Sequence, residues 1–212
     1  MPSPIGHALA GVVVAWAADL IPGDRAWRTS ARTPPKVSGT VTWPPRFAGT
    51  APWHLRFERA GGALTLVCAG LAAAPDLDLA FTAHRTMTHS LCAVVVVGLL
   101  AAVVTAISGR PIARVALMCA GAYASHLLLD WLGADYYPPR GIQLMWPINR
   151  EWYISDLDIF RQTARLHIFT RGPMLTNVRA IAQELAILGP AVVAIWLLRA
   201  KAMARLALQR RA

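Results

Sequence analysis

The sequence predicts an all-α integral membrane bundle of about five helices, and three observations carry that prediction. First, the 212 residues are 56% hydrophobic and only 15% charged, with a mean hydropathy of +0.43, the composition of a chain solvated by lipid. Second, the apolar residues gather into five runs of roughly helix length, separated by Pro, Gly and Arg. Third, most basic residues flank those runs, so the net charge of +10 reads as membrane topology. A polyanion binder would instead spread its Arg over a polar amphipathic surface, so no nucleic-acid partner is expected. The bilayer is the expected partner.

The first run, Pro4 to Ile21, holds His7 near its start and Asp19 near its end and stops at Pro22-Gly23. It reads as one helix barely long enough to span. Its N-terminal side lacks the basic region of a signal peptide, and although Ala15-Trp16-Ala17 loosely imitates a cleavage site, the helix is taken as retained. Residues 24–59 then change composition to Pro, Arg, Thr and Trp with no helical or strand period. This stretch reads as a surface insertion, in part lying on headgroups through Trp43, Trp53 and Arg56.

Gly61 to Ala74 is a second apolar run, short for a full span, and it delivers the chain to Pro75-Asp76-Leu77-Asp78. Leu91 to Ile107 is the third and clearest membrane helix, with Thr86 or Thr88 available as its N-cap and Ser108-Gly109-Arg110-Pro111 as its stop. The fourth, Ile112 to Leu132, ends in His126-Leu127-Leu128-Leu129-Asp130 before Gly133. Residues 133–173 form a polar, aromatic excursion that reads as a lid or substrate-facing segment. Ala180 to Leu198 is the last apolar helix, interrupted at Gly189-Pro190, and 199–212 is a basic tail. No internal repeat divides the chain, which reads as a single domain over 1–212. Cys68, Cys92 and Cys119 each sit inside an apolar segment without Cys-x-x-Cys spacing and read as small core residues.

Threading the five runs alternately across a bilayer puts the insertion, the Arg110–Arg114 turn and the tail on one side, with 14 of the 21 Lys and Arg residues, against 7 on the other. The positive-inside bias makes the first side cytoplasmic. The same threading, made without regard to ligands, places His7, Asp76, Asp78, His84, His89, His126 and Asp130 together on the other face. Scattered core histidines would not gather in this way.

Imidazoles and carboxylates without thiolates suit Zn²⁺, or Mn²⁺, in sites that keep a position open for water. Residues four apart share a helix face, so His126 and Asp130 can grip one ion. Seven candidate ligands are enough for one ion or two adjacent ones. Such ions activate water and polarise a phosphoryl or acyl oxygen, and Arg85, between the two His, is placed to hold a phosphate oxygen. Bland readings stand beside these: His7 alone is more often a polar helix-start residue, and Asp76 or Asp78 can cap the next helix or hold a turn, so only one of the two is expected to ligate directly. His54 reads as solvated on the opposite side, His167 as a weak reserve ligand, and Asp156 and Asp158 as loop or supporting groups. Asp19, about 18 Å along the helix from His7 at ~1.5 Å per residue, falls outside the site.

Gly6-His7-Ala8-Leu9-Ala10-Gly11, Pro75-Asp76-Leu77-Asp78, His84-Arg85-Thr86-Met87-Thr88-His89-Ser90 and His126-Leu127-Leu128-Leu129-Asp130-Trp131-Leu132-Gly133 resemble the successive motifs of the YdjM-like family of bacterial inner-membrane, metal-dependent hydrolases. That family is grouped with the zinc-dependent phospholipase C and P1 nuclease superfamily, whose helical members hold zinc through His, Asp and a His-x-x-x-Asp helix motif. The resemblance covers Pro4 to Ile21 and Pro75 to about Pro147, leaving out the insertion and the C-terminal third. It implies His7, one or both of Asp76 and Asp78, His84, His89, His126 and Asp130 as metal ligands. The chain lacks the wider superfamily's second His-x-x-x-Glu motif and three-metal ligand set.

Together these readings lead to a multi-pass protein of the bacterial inner membrane with a one- or two-metal hydrolase site on its extracytoplasmic face. Its expected substrate is a phosphoester such as a membrane phospholipid, with Asp76, Asp78 or Asp130 orienting the water and Arg85 holding the anion. The alternative is a non-enzymatic metal-binding or ion-translocating protein, which would need ionisable residues continuing through the bilayer beyond Asp19 and Glu184. A haem bundle would want facing His without carboxylates, and a membrane metalloprotease would carry His-Glu-x-x-His, which is absent.

Overall fold

In a computed structural model of the chain, residues 1–21, 62–80, 84–108 and 111–209 are described, and they form five α-helices and no strand. Helix α1 spans Pro4–Ala18, α2 Gly62–Ala73, α3 Leu91–Ile107, α4 Ile112–Leu132 and α5 Arg171–Gln209. The insertion expected over 24–59, with Trp43, Trp53, His54 and Arg56, lies outside the described residues.

Local chemistry sets several of the helix ends. Ser3 caps α1, its hydroxyl accepting from Gly6 N–H at 3.2 Å, with Pro4 in the first turn where a missing N–H costs nothing. Helix α2 gives way at Ala74 to a 3₁₀ segment, Ala74–Ala80, which carries Asp76 and Asp78. Its tighter winding lengthens the second apolar run, so that Gly62–Leu79 is long and apolar enough to cross a membrane, contrary to the short reading. The cap of α3 is Ser90, whose hydroxyl accepts from Ala93 N–H at 3.2 Å, and not Thr86 or Thr88. Those two residues are occupied instead by a single 3₁₀ turn, Met87–His89, and its approach.

The last helix departs most from the sequence expectation. It is continuous over 39 residues from Arg171 to Gln209, with Pro190 inside it, so Gly189-Pro190 does not interrupt it and most of the supposed tail is helical. At ~1.5 Å per residue it is about 58 Å long, far more than a bilayer core. Helices in lipid tolerate a proline because neighbouring groups and local adjustments take over the freed carbonyl. By length and composition α4 and Arg171–Ala204 join Gly62–Leu79 as candidate spans, while α1 and α3 are shorter apolar helices.

Helix α4 is the centre of the bundle, packing against α1, α2 and α3, while α1 packs against α2, α4 and α5. Ala15, Cys68, Met118 and Ala122 form one buried cluster where α1, α2 and α4 meet, and all three cysteines are free thiols. Helices α1 and α2 approach closely because Gly11 faces the Cys68 carbonyl and Ala72; a methyl there would collide with both. The long excursion after α4 is irregular, tied down by isolated bridges between Gly133 and Phe160 and between Ile142 and Tyr153. It is strapped to the His-rich stretch by Leu91 N–H to Leu144 O at 2.9 Å and Gln143 N–H to Arg85 O at 3.0 Å. This packing brings the start of α1, the end of α2, the approach to α3 and the end of α4 to one end of the bundle.

Candidate metal centre

At that end the Nε2 atoms of His7, His89 and His126 converge with two carboxylates. His7 Nε2 lies 3.4 Å from Asp130 Oδ1 and 4.0 Å from Asp76 Oδ2. His89 Nε2 lies 3.4 Å from Asp130 Oδ2 and 3.9 Å from Asp76 Oδ1, and His126 Nε2 lies 3.2 and 3.8 Å from the same two oxygens. The His89 and His126 nitrogens are 3.1 Å apart, and the His7 and His126 rings stack with centroids 3.7 Å apart. Four ligands at ~2.0–2.1 Å around a tetrahedral ion would stand about 3.3 Å from one another, close to the 3.1–3.4 Å between these nitrogens and the Asp130 oxygens and shorter than the 3.8–4.0 Å to Asp76.

The unmet hydrogen bonding agrees. Both oxygens of Asp130 and both ring nitrogens of His7 are buried without a hydrogen-bond partner, although the His and Asp side chains crowd one another. Buried polar atoms are almost always paired. Here they lie close but badly aligned for hydrogen bonds, as expected of lone pairs aimed at a shared point between them. The donor set of three imidazoles and two carboxylates, without thiolate, fits Zn²⁺ or Mn²⁺.

The outer faces of the rings are held by the protein. Ala72 O, at the end of α2, lies 2.7 Å from His126 Nδ1, which directs Nε2 inward. Asp78 does the same for the approach to α3: its Oδ2 stands 3.2 Å from His89 Nδ1, its Oδ1 bonds His84 Nδ1, and Thr88 Oγ1 and the Arg85 N–H also donate to it. Asp78 is therefore a supporting carboxylate with its acceptor positions filled, and Asp76 is the one that faces the Nε2 atoms. His84 stands one step out, its Nε2 buried and unpartnered. Asp76, His84 and His89 form a second group of ligand atoms within 4.8 Å of one another, beside His7–Asp76–His126 and His89–His126–Asp130. Burial works against a proton on His89, but the carboxylates of Asp76, Asp78 and Asp130 outweigh it and hold its pKa up at about 9. The cluster is built to hold positive charge.

With this geometry in place, the sequence matches the family model described as YdjM inner membrane protein over residues 1–206. The chain belongs to that family. No curated protein and no solved structure matches it. The match corrects the narrower resemblance, because YdjM similarity takes in the insertion and the C-terminal third as well as the His and Asp motifs.

Other predicted residues of this YdjM chain sit elsewhere. The Arg85 guanidinium is not poised for an anion: it forms a buried ion pair with Asp135 and points its second nitrogen at Tyr137 O. Arg85 has a left-handed backbone, φ 67°, and its N–H donates to Asp78 Oδ2 at 3.1 Å. Asp135, missed by sequence reasoning, is wholly buried and also accepts from Gly141 N–H at 2.8 Å. His167 is exposed on the loop and is no reserve ligand. Asp156 pairs with Arg140 at 2.6 Å and Asp158 accepts from Tyr136 O–H at 3.2 Å, both at the surface and not behind the ligands. Asp19 lies at the other end of α1, 2.7 Å from Arg199 Nε and 3.7 Å from Arg114, outside the site as expected.

Proposed function

We propose that this chain is a multi-pass inner-membrane metal-dependent hydrolase with its site on the extracytoplasmic side, acting on an ester and most naturally a phosphoester such as a phospholipid. The single observation that supports it best is the convergence of His7, His89, His126, Asp76 and Asp130 around one point, with the Asp130 oxygens buried and otherwise unbonded. The excess of Lys and Arg on the opposite side of the threading supports the orientation.

His7, His89, His126 and Asp130 would hold the ion, most naturally Zn²⁺, with Mn²⁺ as the second choice; His84 with Asp76 and His89 offers a place for a second ion. A divalent ion there supplies Lewis acidity and water activation near neutral pH. The residues of the chain do the rest. Asp76 is 16% exposed where His7, His89, His126 and Asp130 are wholly buried, so it is the carboxylate that reaches solvent, orients an attacking water and takes its proton. Asp78 and the Ala72 carbonyl fix the imidazoles so that this geometry survives turnover.

The test is metal analysis and hydrolysis of phosphate monoester and diester probes by the detergent-purified full chain, compared with a His126→Ala, Asp130→Ala variant. The proposal expects one or two ions per chain, lost in the variant together with hydrolysis. Equal metal in both removes the site. Metal lost in the variant, with no hydrolysis by either protein, leaves metal binding alone as the role.

A further inference from the structure

A cavity of about 840 Å³ opens beside the cluster, and Asp76 lines it. Its walls are the segment before α1, the 163–168 stretch of the long loop and the first turns of α5, and its lining is mainly apolar, with Ile5, Leu79, Leu166 and Ile181 among it. The loop wall is pinned and not collapsed. Asn177 on α5 clamps Ala164 through both its amide atoms, at 2.7 and 3.1 Å, and Thr163 N–H bonds Met1 O at 3.2 Å. Arg165 stands in this wall, its guanidinium 3.2 Å from Met1 Sδ and, among the described residues, without a carboxylate at ion-pair distance. Just beyond it the loop turns its apolar side chains outward: Leu166 is 77% and Phe169 93% exposed, with Ile168 between them.

An apolar cavity ending at Asp76, the solvent-reaching carboxylate of the cluster, with the Arg165 guanidinium in its wall and a rim of exposed apolar side chains, fits an amphiphile with an anionic head. From this we infer that the cavity admits an anionic phospholipid laterally from the bilayer. Arg165 bonds the phosphate, the acyl chain lies along Ile5, Leu79 and Ile181, and Leu166, Ile168 and Phe169 dip into the headgroup layer at the entrance. Arg165 thus takes the role that Arg85, spent on Asp135, cannot fill. The inference rests on the proposed hydrolase reading for what happens to the lipid, but not for its binding.

The experiment reconstitutes the full chain in phosphatidylcholine vesicles carrying either a photoreactive phosphatidic acid or the matching diacylglycerol, and maps the adducts by peptide mass spectrometry. Phosphatidic acid should label residues 163–181 about tenfold more than diacylglycerol, the discrimination expected of one charge-assisted hydrogen bond in a shielded cavity. Arg165→Gln should remove that preference while diacylglycerol labelling stays the same, and Arg165→Lys should restore part of it. Ile181→Trp should exclude both lipids, with metal content unchanged in all three variants. Equal labelling by the two lipids, adducts spread over the outer faces of α3 and α5, or competition by soluble glycerol phosphate as strong as by lipid would overturn it. A chain that holds no metal yet labels with this pattern would remove the hydrolase reading and leave the lipid cavity standing.

Discussion

The two ends of α1 carry the same kinds of side chain and use them in opposite ways. At its C-terminal end Asp19 is closed by Arg199 at 2.7 Å and flanked by Arg114, with Arg199 also over the Trp16 ring. At its N-terminal end His7 meets Asp130 and Asp76 at 3.4 and 4.0 Å and bonds neither. Opposite charges that satisfy each other make a staple between helices. Groups that converge without satisfying each other make a site, because something else must supply the missing partner.

Substitutions test the division between staple and site. Asp130→Asn keeps the shape but removes the charge at the centre of the cluster, and should lower metal affinity by more than about a thousandfold, read by competition with a chelating dye. The same change at the staple, Asp19→Asn, should leave metal content alone. Asp19→Ala should instead cost about 3–5 kcal/mol by breaking the buried ion pair with Arg199, visible as a lower unfolding temperature in detergent, with Asp19→Ala, Arg199→Met recovering most of the loss. If Asp19→Ala released the metal, the division between staple and site would collapse.

Smaller effects are expected at the supporting residues. Asp78→Asn should weaken metal binding by about 10–100-fold, the usual effect of removing a carboxylate behind a ligating imidazole, whereas Asp76→Asn should abolish hydrolysis more completely than binding. Metal affinity should also fall with pH. The metal-free fold holds His89 protonated up to a pKa of about 9, and that proton must leave before the nitrogen can ligate. Affinity should therefore drop by up to about tenfold per unit as pH is lowered from 9, and level off above it. The smallest effect is Ser90→Ala, which removes the α3 cap at a cost of about 1 kcal/mol and should leave the ligands in place.

What could be read from the sequence follows from how local each feature is. His126 and Asp130 were legible because a helix sets residues four apart on one face. The gathering of His7, Asp76, His89 and His126 was legible because lipid-crossing runs leave few arrangements of their ends. The division of labour between Asp76 and Asp78 was not, since a 3₁₀ segment turns two residues of identical chemistry to different neighbours, and nothing in the one-letter string says which. Arg85 was misassigned for a similar reason: its partner Asp135 is 50 residues away, in a loop without periodicity. The start of α5 was placed nine residues too late because Arg171, Asn177 and Arg179 precede the apolar run. Polar residues of this helix hold other segments: Asn177 clamps Ala164, Gln183 accepts from Arg161 N–H, and Glu184 accepts from Ser3 N–H at 2.7 Å.

That last contact has a consequence for how the molecule is made. Ser3 begins α1, yet the carboxylate that fastens it belongs to α5, and Gly6 is bare of a side chain just where Glu184 lies against it. During synthesis the start of the first helix must wait for this fastening while about 180 further residues leave the ribosome. Only when the final helix swings in beside it are the founding and closing segments locked, so a chain truncated before Glu184 should reach the bilayer but mature into a loosely held centre that proteases clear.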